Sequence, residues 1–114
     1  MSTSRIVVAE DDPGLRTVYE TWLRDRGESV VAVPDGNRAI EAVSEDTALL
    51  ICDRDMPERC GAEVVAAVGD ADVTTVVVSA KPPDETLCAA DVEEYLVKPV
   101  SREEFEAVID RHVC

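Results

Sequence analysis

Five short apolar runs punctuate the chain: Ile6 to Ala9, Ser29 to Val33, Ala48 to Cys52, Thr75 to Val78 and Tyr95 to Val97. Each is mostly continuous and rich in valine, the pattern of strands covered on both faces. Between them the spacing of apolar residues changes. Leu15, Val18, Tyr19, Trp22 and Leu23 recur every three or four positions and predict one apolar helical stripe. Ala39, Ile40 and Val43, then Val64, Val65 and Val68, and finally Phe105, Val108, Ile109 and His112 repeat that spacing. Helix starts are marked as well. Asp12 before Pro13 reads as an N-cap with proline in the first turn, and Ser101 with Glu104 reads as a capping box. Asp35-Gly36 closes the second strand and opens the second helix. Between Pro82 and Asp91 the signal is weak: Pro82-Pro83 breaks the chain, Asp84 can cap, and Glu85 to Ala90 supports one or two turns.

Strand and helix therefore alternate five times. This predicts an α/β fold, a parallel five-stranded sheet with right-handed crossovers and helices on both faces. The flavodoxin-like (βα)5 three-layer sandwich, with strand order 2-1-3-4-5, is the common arrangement for five such units. It sets the first and third strands side by side at the topological switch point, where ligands bind at the carboxyl ends of strands. Residues 1–114 are read as one domain, without linker or internal repeat.

The residues that follow each run carry the chemistry. Glu10, Asp11 and Asp12 follow the first; Asp53, Arg54 and Asp55 the third; Ser79 the fourth; Lys98 and Pro99 the fifth. The second run ends in Val33-Pro34 and offers no reactive group. Glu10, Asp11 and Asp53 would converge at adjacent strand ends. Two carboxylates about 4 Å apart repel by roughly 4 kcal/mol at an effective dielectric of 20. A set of three needs a cation or a raised pKa, and a hard divalent ion with oxygen ligands, Mg²⁺ above all, fits. Open positions on such an ion suit phosphate oxygens. Lys98 would meet a second phosphate oxygen and Ser79 a third, and Asp53 would be the nucleophile that carries an aspartyl phosphate. Plainer roles stand beside these. Asp12 is read as a cap, Tyr95 suits packing, His112 suits a helix C-terminus, and Glu103, Glu104 and Glu106 suit a solvated face.

Composition narrows the partners. With 25 acidic and 11 basic residues the net charge is -14, which argues against direct nucleic-acid binding and against anionic membranes. No apolar run is long enough for a membrane span, and Met1 to Arg5 has no signal-peptide character, so the cytoplasm is the expected location. Lys81 and Lys98 are the lysines; the other basic residues are arginines. An acidic, lysine-poor surface fits a halophilic chain, since concentrated salt screens its self-repulsion. Cys52, Cys60, Cys88 and Cys114 lack metal-ligand spacing and are read as reduced thiols.

Taken together, Val8-Ala9-Glu10-Asp11-Asp12-Pro13, Cys52-Asp53-Arg54-Asp55-Met56-Pro57 with Gly61, Val78-Ser79-Ala80-Lys81 and Tyr95-Leu96-Val97-Lys98-Pro99 resemble the receiver domain of two-component response regulators. The HalX-type receivers of haloarchaea look closest. The resemblance implies that Asp53 accepts phosphate from a sensor histidine kinase or phosphotransfer protein. It implies that Glu10, Asp11, Asp53 and the Asp55 backbone carbonyl hold Mg²⁺, and that Ser79 and Tyr95 form the switch. It implies a cis Lys98-Pro99 bond, and a controlled output for which transcription is one candidate. Against the family pattern, the stretch from Ser79 to Lys98 is short. This predicts a shortened fourth helix and leaves open whether a homodimer forms through that face. The chain would be either a stand-alone receiver or one cut from a longer regulator. Asp55 and Lys81 are two residues beyond Asp53 and Ser79, and are candidates for shielding the phosphoryl group from water.

Three rival readings have weaker support. Asp53 and Asp55 match the Asp-x-Asp of haloacid-dehalogenase-like phosphatases, but that motif belongs after a first strand. A flavodoxin-like cofactor binder would need a phosphate loop after the first strand. A receiver acting purely as an interaction module would not need the intact set Glu10, Asp11, Asp53, Ser79 and Lys98. The charge pattern yields one expectation of its own: thermal melts across a KCl series should show stability rising toward molar salt, and a maximum at low salt would reject the halophilic reading.

Overall fold

A computed structural model describes residues 5–54, 64, 66–67, 73–85 and 92–112. Five strands, β1 (Arg5–Ala9), β2 (Ser29–Val33), β3 (Thr47–Asp53), β4 (Thr74–Ser79) and β5 (Glu94–Val97), form one sheet in the order β2-β1-β3-β4-β5. All four pairings are parallel. Two helices, α1 (Pro13–Asp25) and α2 (Gly36–Ala42), occupy the first two crossovers, and the last described helix is Arg102–His112. Val64, Ala66 and Ala67, in the crossover from β3 to β4, are also helical. This is the flavodoxin-like architecture and strand order that the alternating pattern predicts. The segment expected to form a shortened fourth helix falls largely at 86–91, outside the described residues.

The sheet separates two apolar layers. On one face Ile6, Val8, Leu49, Ile51, Val76 and Val78 pack against Tyr19 and Leu23 of α1 and Phe105, Val108 and Ile109 of the last helix. On the other, Val7, Ala9, Leu50 and Cys52 meet Ala39 of α2 and Val64. Alternate residues of one strand thus serve opposite layers, which is why these runs contain almost no polar residue. The edge strand β5 departs from that expectation, with Val97 exposed. Cys52 is a buried core residue whose thiol donates to the Asp53 carbonyl; Cys60, Cys88 and Cys114 lie outside the described residues.

Local signals hold where they concern backbone groups. The Asp12 side chain accepts from the N–H groups of Gly14 (2.8 Å) and Leu15 (3.2 Å). Ser101 Oγ accepts from the Glu104 N–H, and Glu104 Oε1 from the Ser101 N–H, at 3.1 and 3.3 Å, so the capping box closes. Beyond α1, the Gly27 N–H donates to the Arg24 carbonyl and the Glu28 N–H to the Leu23 carbonyl. Gly27 takes φ 81°, the left-handed geometry that this helix ending requires.

The stripe on α1 needs a correction. Tyr19 and Leu23 are buried, but Val18 is 38% exposed. Of the five stripe residues Val18 is farthest from Leu23 around the helix, so a rotation that drives Leu23 into the sheet turns Val18 outward. His112, at the end of the last helical stripe, stays half-buried, with Nε2 3.5 Å from Glu94 Oε1. Three aromatic rings weld α1 to the last helix: Phe105 stacks on Tyr19 with centroids 5.0 Å apart, and Trp22 leans on both. Phe105→Ala should therefore cost about 3–5 kcal/mol in chemical unfolding; a loss below about 1 kcal/mol would contradict this packing.

Candidate functional site

The site is built where β1, β3, β4 and β5 end. The Glu10 N–H donates to the Val33 carbonyl at 3.0 Å, so the backbone is still tied to the β1–β2 ladder as β1 finishes. The turn into α1 is then held from both sides. The Asp12 N–H donates to Glu10 Oε2 at 3.2 Å, and Arg16 Nη1 donates to the Glu10 carbonyl at 3.0 Å. Asp53 is the last residue of β3 and pairs in register with Val78. The Lys98 N–H donates to the Ser79 carbonyl at 2.7 Å, which prolongs the β4–β5 ladder and delivers the lysine side chain over the sheet end. The Lys98-Pro99 bond is cis.

The register brings together residues far apart in sequence. One carboxylate oxygen each from Glu10, Asp11 and Asp53 lies within 4.8 Å of the others. Glu10 and Asp53 are buried, whereas Asp11 is exposed. The Lys98 ammonium sits between the two buried acids, 3.0 Å from Glu10 Oε1 and 3.0 Å from Asp53 Oδ2. Burial raises the Glu10 carboxyl to about 8; a hydrogen bond with Asp53 and its charge push the same way, against Lys98 and the Asp12 N–H. Burial lowers Lys98, but the two acids outweigh it and hold the ammonium above its ordinary value.

The donor set fits a divalent cation. It is all oxygen, at least doubly acidic, and open on the Asp11 side. Glu10 Oε1 is buried and makes no well-directed hydrogen bond, its contact with Lys98 being an ion pair. A hard ion such as Mg²⁺ suits such ligands. Asp55, whose carbonyl was expected among them, lies outside the described residues.

Ser79 is fully buried at the end of β4, and its Oγ accepts from the Lys81 N–H at 3.0 Å. Lys81 itself is exposed. The Tyr95 hydroxyl donates to the Lys81 carbonyl at 2.9 Å. One residue of the Asp53-Arg54-Asp55 motif to which the sequence assigned no role, Arg54, takes part here. It follows Asp53 directly and is buried, with its guanidinium on Asp84, Tyr95 and the Pro82 carbonyl. These partners are 28 to 41 residues away, beyond the reach of any local pattern.

Comparisons with known proteins agree with this geometry. The family model for the response regulator receiver domain matches residues 6–110. The chain belongs to that family. It is a receiver domain of two-component signalling, and its acidic pocket resembles the metal and phospho-aspartate site of such domains. It is a signalling domain. The receiver is 34% identical over 111 residues to the sensor histidine kinase TmoS of Ectopseudomonas mendocina, covering 90% of this chain and 11% of that protein. It is 31% identical over 105 residues to the transcriptional regulatory protein PrrA of Mycobacterium tuberculosis, covering 87% and 45%. The chain thus spans less than half the length of these relatives. Among solved structures, the receiver domain of the sensor histidine kinase PA1611 from Pseudomonas aeruginosa, with magnesium coordinated in its active-site cleft, superposes with a TM-score of 0.82 at 25% identity, covering 96% and 97%.

The raised Glu10 carboxyl has a consequence for metal-free protein. The folded state binds a proton that the unfolded state releases near pH 4.5, so this stabilisation is complete below pH 4.5 and fades as pH rises through about 8. Chelator-treated receiver should lose unfolding free energy across that window, and saturating Mg²⁺ should flatten the loss by favouring the ionised acid; identical slopes with and without Mg²⁺ would contradict the assignment.

Proposed function

We propose that the receiver takes a phosphoryl group onto Asp53 from a phosphohistidine of a sensor kinase or phosphotransfer protein and relays the change to an output. The observation that carries this reading is the Lys98 ammonium 3.0 Å from Asp53 Oδ2, with a further acidic pair beside it. In the transfer, an Asp53 carboxylate oxygen attacks phosphorus, the P–N bond to the donor imidazole breaks, and the imidazole leaves with that electron pair. Lys98 orients Asp53 and is placed to exchange its carboxylate contacts for a phosphoryl oxygen. Ser79 donates to another oxygen, and Tyr95 follows it as the second switch residue. Glu10, Asp11, Asp53 and the Asp55 carbonyl would hold Mg²⁺, which when bound neutralises charge on the phosphoryl oxygens. Asp55 and Lys81 are assigned the screening of that group from water.

The remaining roles follow from the same reading. Residues 1–114 act as one receiver unit, with the regulated output in a further domain or a separate protein; transcriptional control is the output class suggested by PrrA. Among the described residues no helix is long and apolar enough to cross a membrane. A net charge of -14 does not suit direct nucleic-acid contact by this unit. A cytoplasmic setting in concentrated salt accommodates both the charge and the kinase partner. Homodimerisation through the β5 side is left to the output.

Incubation with Mg²⁺ and acetyl phosphate should add the mass of one phosphoryl group to the intact chain, and Asp53→Ala should abolish the addition. Labelling that survives in Asp53→Ala would refute the assignment, and steady phosphate release from a small ester without labelling would point to the phosphatase reading instead.

A further inference from the structure

Directly after Asp53 the chain buries a guanidinium. Arg54 is 8% exposed, and its backbone N–H donates to the Val78 carbonyl at 2.9 Å, so the residue is fixed as an extension of the β3–β4 ladder. From there the side chain crosses β4 to reach β5. Nη1 donates to the Tyr95 hydroxyl at 3.1 Å and approaches the Pro82 carbonyl at 3.5 Å, while Nη2 pairs with Asp84. The Tyr95 hydroxyl donates its own hydrogen bond to the Lys81 carbonyl at 2.9 Å. The Lys81 N–H in turn holds Ser79 Oγ at 3.0 Å. One cation thereby joins the residue beside Asp53, the loop after β4, the Tyr95 ring on β5 and, through Lys81, the Ser79 hydroxyl.

This arrangement opposes movement. A Ser79 hydroxyl that turns toward a group on Asp53 must carry or release the Lys81 N–H. If the loop follows, the Lys81 carbonyl and Asp84 leave the positions in which they hold Tyr95 and Arg54. A lysine would lack the planar fork that serves Asp84 and Tyr95 together. Arg54 thus sets the resting position of Tyr95, the second switch residue.

We propose that Arg54 is a positioning residue that latches Tyr95 and the loop Lys81–Asp84 in the conformation seen here, so that acylphosphate formation at Asp53 has to break the latch. The proposal rests on the reading of Asp53 as phosphoacceptor. A latch of this kind lowers the population of the phosphoryl-ready state, and its removal should raise apparent affinity for a phosphoryl mimic in proportion.

The test titrates beryllofluoride with Mg²⁺ into the full chain, read by the fluorescence of Trp22, the single tryptophan. Arg54→Leu should lower the half-saturating concentration at least threefold. Tyr95→Phe, which removes only the hydroxyl, should give a similar shift, and the double variant no more than either alone. A half-saturation in Arg54→Leu that is unchanged or raised, or shifts that multiply in the double variant, would overturn the latch. If Arg54→Leu does not fold, Asp84→Asn and Tyr95→Phe decide the matter by the same criteria. A wild-type chain that ignores beryllofluoride would sink the phosphoacceptor reading. The latch is then judged on the ligand-free protein, where Arg54→Leu must accelerate hydrogen exchange at the Lys81 amide; unchanged exchange would overturn it.

Discussion

The ion pair of Lys98 with Glu10 and Asp53 is the contact around which the site is organised. Two buried carboxylates at neighbouring strand ends repel, and taking either from water has a cost of its own. A single ammonium 3.0 Å from each offsets part of both terms. The offset is incomplete, as the raised Glu10 carboxyl shows. Removing one partner from such a buried group typically costs about 3–5 kcal/mol, because the others are left uncompensated. The site is thus held in tension: stable enough to keep its shape, yet short of positive charge in a way that a divalent cation would relieve.

The fold exists to hold those charges at fixed separations. Parallel pairing with β1 between β2 and β3 opens the sheet end where the crossovers diverge, so Glu10 and Asp53 face the same cleft. The two apolar layers, the cap at Asp12 and the stacked pair Tyr19–Phe105 contribute rigidity behind it. The ends of β4 and β5 are anchored differently. Their ladder is prolonged by the Lys98 N–H, but the loop after β4 is held by polar contacts to Arg54 and Tyr95. Hydrogen bonds have discrete alternatives in a way that a packed layer does not, and a domain that must change state needs some of its contacts to be of that kind.

Much of this was legible along the chain. Valine-rich runs identified the strands, because covering both faces leaves little room for polar residues in them. Asp12, Asp35, Ser101 and Glu104 marked helix starts, since capping is a contact between neighbours in sequence. The candidates Glu10, Asp11, Asp53, Ser79 and Lys98 were legible by position, each being a polar residue at the end of an apolar run. Less legible was anything that depends on rotation or distance. Val18 matches the α1 stripe in spacing, yet it faces water because burial of Leu23 decides how the helix turns. Arg54 looks like a loop charge until its partners, supplied by the loop after β4 and by β5, close over it.

By itself the sequence determined the alternation of elements, the caps, the hard-oxygen character of the site and a surface charge unsuited to nucleic acid. These are properties of composition and short-range spacing, and they survive in any register of the sheet. The tertiary structure alone decided that Lys98, 45 residues beyond Asp53, would bind it and Glu10 at once, and that a guanidinium next to Asp53 would reach Tyr95. Those contacts come from strand order and helix rotation, which are set by how all the apolar faces fit together and not by any one stretch of chain.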